Sequence, residues 1–366
     1  MKIHIQKDEF GKAVSDVVRF AERKSATLPV LSAIVIVAGN DGIKFRATNL
    51  ETGIDRSVQG EASEAGVVAI PAQVLREIST SFSGNGTLVL ETSGDTVLLS
   101  SGSVKSTIKT LPYEDFPILP FPEAPSATFS LPGVVFKNVV TSVLSCASVS
   151  TIRPELASVL ISGEGGTIKA VATDSFRLAE KYAPLEGKTS IFSMLLPARN
   201  ATDILQVLPD TELTINIDDH QCSFVWSEGS LTTRLVSANY PDYGSIIPKT
   251  FAAEATVLKK DFEAALRRTT VFSDSFQKVR LAIDPSSKKV SFSARNNDVG
   301  DSAESITAAV TGDSVELSFN HRYLGAPLSL IASENLSLSA SGIGRPLVIR
   351  GAGDNTYLYL VMPMNQ

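Results

Sequence analysis

Apolar and polar positions alternate from the first residues of the chain. Lys2-Ile3-His4-Ile5-Gln6 has the two-residue period of a half-buried strand, and Asp8-Glu9-Phe10-Gly11-Lys12-Ala13-Val14 follows with apolar positions at helical spacing. The same change of period occurs twice more. Residues 127–131 lead into Val134-Val135-Phe136-Lys137-Asn138-Val139-Val140, and residues 255–258 lead into Lys260-Asp261-Phe262-Glu263-Ala264-Ala265-Leu266. The aromatic marker therefore falls at Phe10, Phe136 and Phe262, 126 residues apart each time (136 − 10 and 262 − 136). Thr48-Asn49-Leu50 is matched by Thr173-Asp174-Ser175, and Pro71-Ala72 by Pro197-Ala198, with Asn320-His321-Arg322 at the corresponding place in the last third. Leu111-Pro112, Tyr240-Pro241 and Met362-Pro363 read as strand ends closed by proline. So long a period implies repeated domains and not a solenoid of short units.

Between the helical stretches the pattern is one of hairpins. Residues 97–100 turn through Gly102-Ser103 into 104–110, residues 159–161 through Gly165-Gly166 into 168–173, and residues 224–226 through Glu228-Gly229 into 231–236. The expected fold class is α+β: three repeated domains at 1–125, 126–250 and 251–366, each with two helices and antiparallel sheets. The proline-rich run 117–125 and the segment 241–251 are the expected linkers.

Charge complicates this picture. The formal net charge is −6, and by thirds it is −3, −3 and 0 (twelve cations against fifteen anions, nine against twelve, and twelve against twelve). Proteins that grip DNA by bulk electrostatics carry a basic excess, which this chain lacks. The cations are nonetheless patterned. On a helical wheel Phe10, Val14, Val17 and Ala21 share one face, while Lys12, Arg19 and Arg23 share the opposite one. In the last third Lys260 and Arg267 lie opposite Phe262, Ala265 and Leu266, with Arg268 at the flank. The middle third has only Lys137 on its first helix, but Arg199 opens its second. Positive potential is thus expected on one side of the helices, with acidic residues elsewhere.

Candidate chemistry is sparse. His4, His220 and His321 are scattered without metal-ligand spacing, and no phosphate-cradling or nucleophile motif is present. Asp218-Asp219-His220 reads as a polar hairpin turn and not as a metal site. Cys146 and Cys222 fit no disulfide framework or zinc site, and suit a reducing cytoplasm. No apolar run is long enough to span a membrane, and the first residues read as a strand and not as a secretory signal. No catalytic residue, cofactor or metal is expected. An exported β-rich binding module would instead show an exposed aromatic platform, which the sequence lacks.

The chain resembles the DNA polymerase III beta subunit family, the bacterial DNA sliding clamps, along essentially its whole length. The resemblance rests on Thr27-Leu28-Pro29-Val30-Leu31, Thr110-Leu111-Pro112 through Asp115-Phe116-Pro117, Ala172-Thr173-Asp174-Ser175-Phe176-Arg177-Leu178-Ala179, Tyr240-Pro241-Asp242-Tyr243 and Val361-Met362-Pro363-Met364. It implies a non-catalytic processivity factor: a head-to-tail homodimer closing into a ring around duplex DNA of any sequence, helices lining the hole. Topology would then hold the DNA, which removes the conflict with the acidic charge. Implied partners are the polymerase III alpha subunit, the clamp loader and other proteins with clamp-binding motifs. By position, the partner pocket falls on Leu156, Thr173, Ser175, Phe176, Arg177, Leu178, Pro241, Ile246, Pro346, Val361, Met362 and Pro363. Lys24, Arg153 and Arg199 match DNA-facing positions, and Lys105, Ile108, Val271 and Phe272 match the contact between copies. The chain departs from the family's usual Gly-His at Ser175-Phe176, its Asn-Gly at Ala157-Ser158, a basic residue at Ser245 and an arginine at Gln73. A housekeeping clamp and an accessory copy conferring resistance to clamp-directed inhibitors are both compatible with one sequence.

Overall fold

The computed structural model describes residues 1–82, 84–187 and 190–364. The first repeat runs β1 (Lys2–Gln6), α1 (Lys7–Val17), β2 (Ala33–Gly39), β3 (Gly42–Thr48), β4 (Thr52–Val58), β5 (Gly60–Glu64), β6 (Gly66–Pro71), α2 (Ala72–Ser81), β7 (Thr87–Ser93), β8 (Thr96–Ser101) and β9 (Val104–Lys109). The second runs β10 (Ala127–Pro132), α3 (Gly133–Leu144), β11 (Ser158–Glu164), β12 (Thr167–Thr173), β13 (Arg177–Pro184), β14 (Phe192–Pro197), α4 (Ala198–Val207), β15 (Glu212–Ile217), β16 (Gln221–Trp226) and β17 (Gly229–Arg234). The third runs β18 (Ala253–Leu258), α5 (Lys259–Thr270), β19 (Lys278–Asp284), β20 (Lys289–Asn296), β21 (Gly300–Thr307), β22 (Ala309–Gly312), β23 (Val315–Asn320), α6 (His321–Gly325), β24 (Asn335–Ala340), β25 (Leu347–Gly351) and β26 (Tyr357–Val361). Each repeat has two helices among antiparallel strands, as the periodicity requires.

The aromatic markers explain why the first helix of each repeat docks. Phe10, Phe136 and Phe262 are fully buried. Each meets a strand phenylalanine edge-on: Phe45 at 6.0 Å, Phe224 at 5.1 Å and Phe292 at 5.0 Å between ring centroids. Burying such a ring stabilises by about 1.5–3 kcal/mol, and an edge-to-face pair adds roughly 1 kcal/mol.

The chain forms two compact units. One holds the first repeat with β10, β15–β17 and α4's body. It contains a five-stranded sheet, β5-β1-β7-β8-β9, and an eight-stranded sheet, β10-β15-β16-β17-β4-β3-β2-β6. The other holds β11–β14 with the third repeat. It contains a nine-stranded sheet, β14-β11-β12-β13-β26-β25-β24-β18-β22, and a four-stranded sheet, β21-β20-β19-β23. In each unit one sheet runs across repeats: β17 pairs with β4, and β26 pairs with β13. The sheets, and not the three repeats, therefore organise the compact units.

Two expectations need correction. α1 stops at Val17 and passes through a 3₁₀ turn, Val18–Phe20, and Ala21 is extended (φ −83°, ψ 142°). Phe20 is the buried residue there, because the tighter turn rotates the face, so Ala21 and Arg23 do not continue the wheel. β17 ends at Arg234, well before Tyr240-Pro241, whereas β26 ends at Val361, directly before Met362-Pro363. The register shows that Thr233 is the counterpart of Val361, so these two prolines do not mark equivalent strand ends.

Candidate binding pocket and cationic faces

Most residues expected to line the pocket gather at one end of the nine-stranded sheet. The antiparallel registers bring the start of β11, the end of β12, the start of β13, the end of β26 and the start of β25 to that end. Leu156 stands just before β11, Thr173 closes β12 opposite Leu178, and Val361 lies between Arg177 and Leu347. Pro346 precedes Leu347, and Met362 donates its backbone N–H to the Phe176 carbonyl at 2.8 Å. Pro363 follows, and the Met364 N–H is tied to the Ser318 carbonyl at 2.8 Å, which anchors the tail.

A side-chain-braced turn holds β12 to β13. The Asp174 carboxylate accepts from the N–H groups of Phe176 and Arg177 at 3.0 Å each, and from Arg177 Nε at 2.9 Å. Thr173 Oγ1 donates to the Arg177 carbonyl at 2.8 Å. Ser175 sits in the left-handed region (φ 76°), where the glycine usual in the resemblance would be unstrained. The Arg177 guanidinium is also stacked 4.6 Å from the centre of the Tyr323 ring, so it serves as wall more than as a free cation. Phe176 is left 61% exposed.

The linker after the second repeat lies on the same sheet face. Tyr240, Tyr243, Ile247, Phe251 and Met362 pack on a cluster formed by Val171, Leu178, Val348, Leu358 and Leu360. Pro241 and Ile246 are the chain neighbours of these packed residues. Ile246 is 46% exposed, while Ile247 is the one that packs inward. Leu156, Thr173, Leu178 and Val361 are buried, Pro346 is buried, and Met362 and Pro363 are half-buried.

The cations Lys12, Arg19, Arg23, Lys24, Arg153, Arg199, Lys260 and Arg267 are all exposed. Lys12 and Arg19 both act on Asp16, whose carboxyl is nevertheless pushed up by burial. Arg19 and Arg199, from different repeats, both act on Asp203, again pushed up chiefly by burial. These three cations are therefore brought into one neighbourhood and tempered by acidic neighbours. Arg153 pairs with Glu155 at 3.0 Å, and Arg268 makes a two-pronged pair with Glu304 on β21, leaving Lys260 and Arg267 on the other face of α5. Lys105 is exposed on the edge strand β9, but Ile108 is already buried within its own repeat. Val271 is 66% exposed, and Phe272 is half-buried against Gly300 at the start of β21.

Asp218-Asp219-His220 is a hairpin turn: Asp218 Oδ1 accepts from the N–H groups of His220 and Gln221 at 2.8 Å. Among the described residues no group of three or more His, Cys, Asp or Glu is placed to hold a metal, and no helix is long and apolar enough to cross a membrane. Burial pushes the Cys146 thiol up to about 12, a poor nucleophile.

Family models for the DNA polymerase III beta subunit match almost throughout: the N-terminal domain over residues 1–120, the central domain over 130–242 and the C-terminal domain over 244–365. The chain belongs to the DNA polymerase III beta subunit family. It is 26% identical to the beta sliding clamps of Synechococcus elongatus and Bacillus subtilis, covering 100% of this chain and 99% of each relative. It is 27% identical to that of Pseudomonas putida, with full coverage of both. Among solved structures, the Bacillus subtilis DNA polymerase sliding clamp matches with a TM-score of 0.92 at 26% identity, over 100% of this chain and 99% of that one. A Pseudomonas aeruginosa sliding clamp bound to griselimycin matches in fold with a TM-score of 0.95 at 24% identity, over the whole of both chains.

Family membership leaves some residues of this chain unaccounted for by sequence reading. Glu180 is a buried carboxylate on β13, two residues beyond Leu178, and it accepts a 2.8 Å hydrogen bond from the Tyr243 hydroxyl. A carboxylate two residues from Leu178, on the same face at strand spacing, was the available signal. Arg56 is likewise buried, 4% exposed, among Glu9, Asp16 and Glu228.

Proposed function

We propose that two copies of this chain close head to tail into a ring that encircles duplex DNA in the cytoplasm and tethers the replicative polymerase and the clamp loader. One observation carries the reading: among the described residues β9 and β21 each end a sheet, whereas their counterparts in the other repeats pair with one another. β4 pairs with β17 and β13 with β26, but β21 ends the four-stranded sheet and β9 ends the five-stranded one. Such edges are sites for pairing with another chain.

The internal register predicts the contact. Thr52 faces Thr233, and Arg177 faces Val361. Gly300 stands four residues past the end of β20, as Thr52 does past β3 and Arg177 past β12. Ile108 stands four residues into β9, as Thr233 does into β17. Gly300 of one copy should then face Ile108 of the other, and Ala303 should face Lys105. Asp301 would lie diagonally between Lys105 and Lys109, an arrangement favourable to cross-strand charge pairing. Phe272, packed against Gly300, would be carried to Ile108.

The exposed cations provide weak, sequence-independent phosphate contacts, while ring closure provides retention. The end of the nine-stranded sheet provides the apolar cleft for short partner peptides, with Phe176, Met362 and Ile246 as adaptable walls over the buried Leu178. The test compares retention on nicked circular duplex and on the same DNA linearised, at equal salt, after loading by an ATP-driven loader. A ring stays on the circle and runs off the linear form. Equal retention on both would assign the hold to the cations and reject the ring.

A further inference from the structure

We infer that Glu180 and Tyr243 form a latch that holds the linker wall of the peptide pocket in its binding-ready position. The inference rests on the pocket reading above and concerns two residues outside the set expected to line the pocket.

Leu178, Glu180 and Tyr182 alternate along β13 and so share one face of the sheet. Leu178 contributes to the apolar cluster beneath the linker, and Glu180 is the next side chain on that face. Glu180 is 7% exposed, a cost for a carboxylate unless it is well satisfied. Tyr243 donates to Glu180 Oε2 at 2.8 Å, and the Tyr182 hydroxyl also interacts with this carboxylate. Lys169, which faces Tyr182 across the β12–β13 pair, lies 5.9 Å from the Tyr182 ring centre and 5.5 Å from the Tyr243 ring centre. The Tyr243 ring is thus fixed by a hydroxyl contact, a cation over its face and an edge contact to Tyr240 at 6.3 Å.

Tyr243 lies between Pro241 and Ile246, the two linker residues of the pocket, in a short 3₁₀ turn, Tyr243–Ser245. No sheet hydrogen bonds restrain this segment, because it lies between β17 and β18. Its position is set by side chains, and Tyr243 is the one that reaches a buried charge. Releasing it would let Pro241 and Ile246 sample positions off the sheet face. Apparent peptide affinity then falls by the fraction of time the wall is in place.

The experiment uses the intact full-length protein and, as probe, the strongest-binding fluorescent peptide from an overlapping set covering the polymerase III alpha subunit. Tyr243→Phe removes only the hydroxyl, and Glu180→Gln keeps an acceptor while removing the charge. Tyr243→Phe should weaken the peptide by about tenfold, the scale of one lost hydrogen bond to a charged group. Glu180→Gln should weaken it less. In both, hydrogen exchange across 240–251 should quicken while the oligomeric mass stays unchanged. Leu178→Ala serves as the control for the pocket. If Tyr243→Phe binds the peptide as tightly as the unaltered protein while Leu178→Ala does not, the latch is rejected and the pocket stands. If neither change affects binding, the pocket is misplaced and the latch falls with it.

Discussion

The chain builds the same junction twice and uses it differently. In the first repeat Asn49 Oδ1 accepts from the N–H groups of Glu51 and Thr52, and Thr48 Oγ1 donates to the Thr52 carbonyl. In the second repeat Asp174 and Thr173 make the same bonds to Phe176 and Arg177. Leu50 and Ser175 both take a left-handed φ, 69° and 76°. The strand arriving from the next repeat then docks alike, with Arg234 N–H to the Glu51 carbonyl and Met362 N–H to the Phe176 carbonyl, each at 2.8 Å. At the far end Ser57 and Tyr182 donate to the carbonyls of Glu228 and Thr356, again at 2.8 Å.

What differs is the residue after the turn. Leu178 belongs to an apolar cluster overlaid by a linker that leaves Ile246 and Phe176 exposed. Its counterpart is Gly53, and Leu119 of the following linker fills the vacated space: a Cβ on Gly53 would lie 2.6 Å from Leu119 Cδ2. Both junctions are covered by their own linker, but at the second Phe176 and Ile246 remain exposed beside the cluster. Backbone equivalence therefore does not make a site. A single side chain, and what the linker does over it, decides.

The largest effect should follow Leu178→Ala. Removing this fully buried side chain should cost about 2–5 kcal/mol in denaturant unfolding and abolish peptide binding. A mild loss on both counts would mean that the cluster collapses around the gap. Gly53→Leu is the reverse change and should destabilise by about 1–3 kcal/mol, because Leu119 must be displaced. Adding Leu119→Ala should recover part of that cost, and a strictly additive double mutant would refute the filling role of Leu119.

Next in size are the turn acceptors. Asp174→Ala leaves two backbone N–H groups and Arg177 Nε without their partner, and should cost about 2–3 kcal/mol. Asn49→Ala loses two neutral bonds and should cost about 1–2 kcal/mol. Equal costs in thermal unfolding would show that Arg177 adds nothing to the second turn. Leu50→Gly and Ser175→Gly should instead stabilise by up to about 1 kcal/mol, more for the bulkier leucine, by relieving the left-handed strain. The smallest effect concerns acid. Arg56 donates to Glu228 at 2.9 Å and holds that carboxyl below its ordinary 4.5, while the counterpart Lys181 donates to the Thr356 hydroxyl at 2.8 Å and acts on Asp354 through its charge alone. A lowered carboxyl pKa contributes stability above about pH 4.5 that is lost as pH falls through the folded value. Asp16, raised by burial, works in the opposite sense, its penalty fading as pH falls towards 3.8. Amide protection factors, taken against the intrinsic acid slowing of exchange, should thus fall below about pH 4.5 more at β4–β17 than at β13–β26, and Glu228→Gln should remove most of that difference.

The periodicity, the three phenylalanine markers and the matched Thr-Asn and Thr-Asp pairs were legible in the sequence, because each is local: a strand period, a helix face, a short motif repeated in register; that these pairs brace turns emerged only from the structure. Composition also excluded much by itself, from a disulfide framework to a bulk-charge DNA grip. Which strands continue a sheet across repeats was not legible, since β4–β17 and β13–β26 join residues far apart in the chain. The end of α1 at Val17, the filling of Gly53 by Leu119 and the burial of Glu180 under Tyr243 belong to the same class. They depend on which surfaces meet, and on what a buried charge or an empty volume finds opposite it. The sequence determined three similar domains. Only the tertiary structure decided which junction keeps apolar side chains exposed and which strands end a sheet.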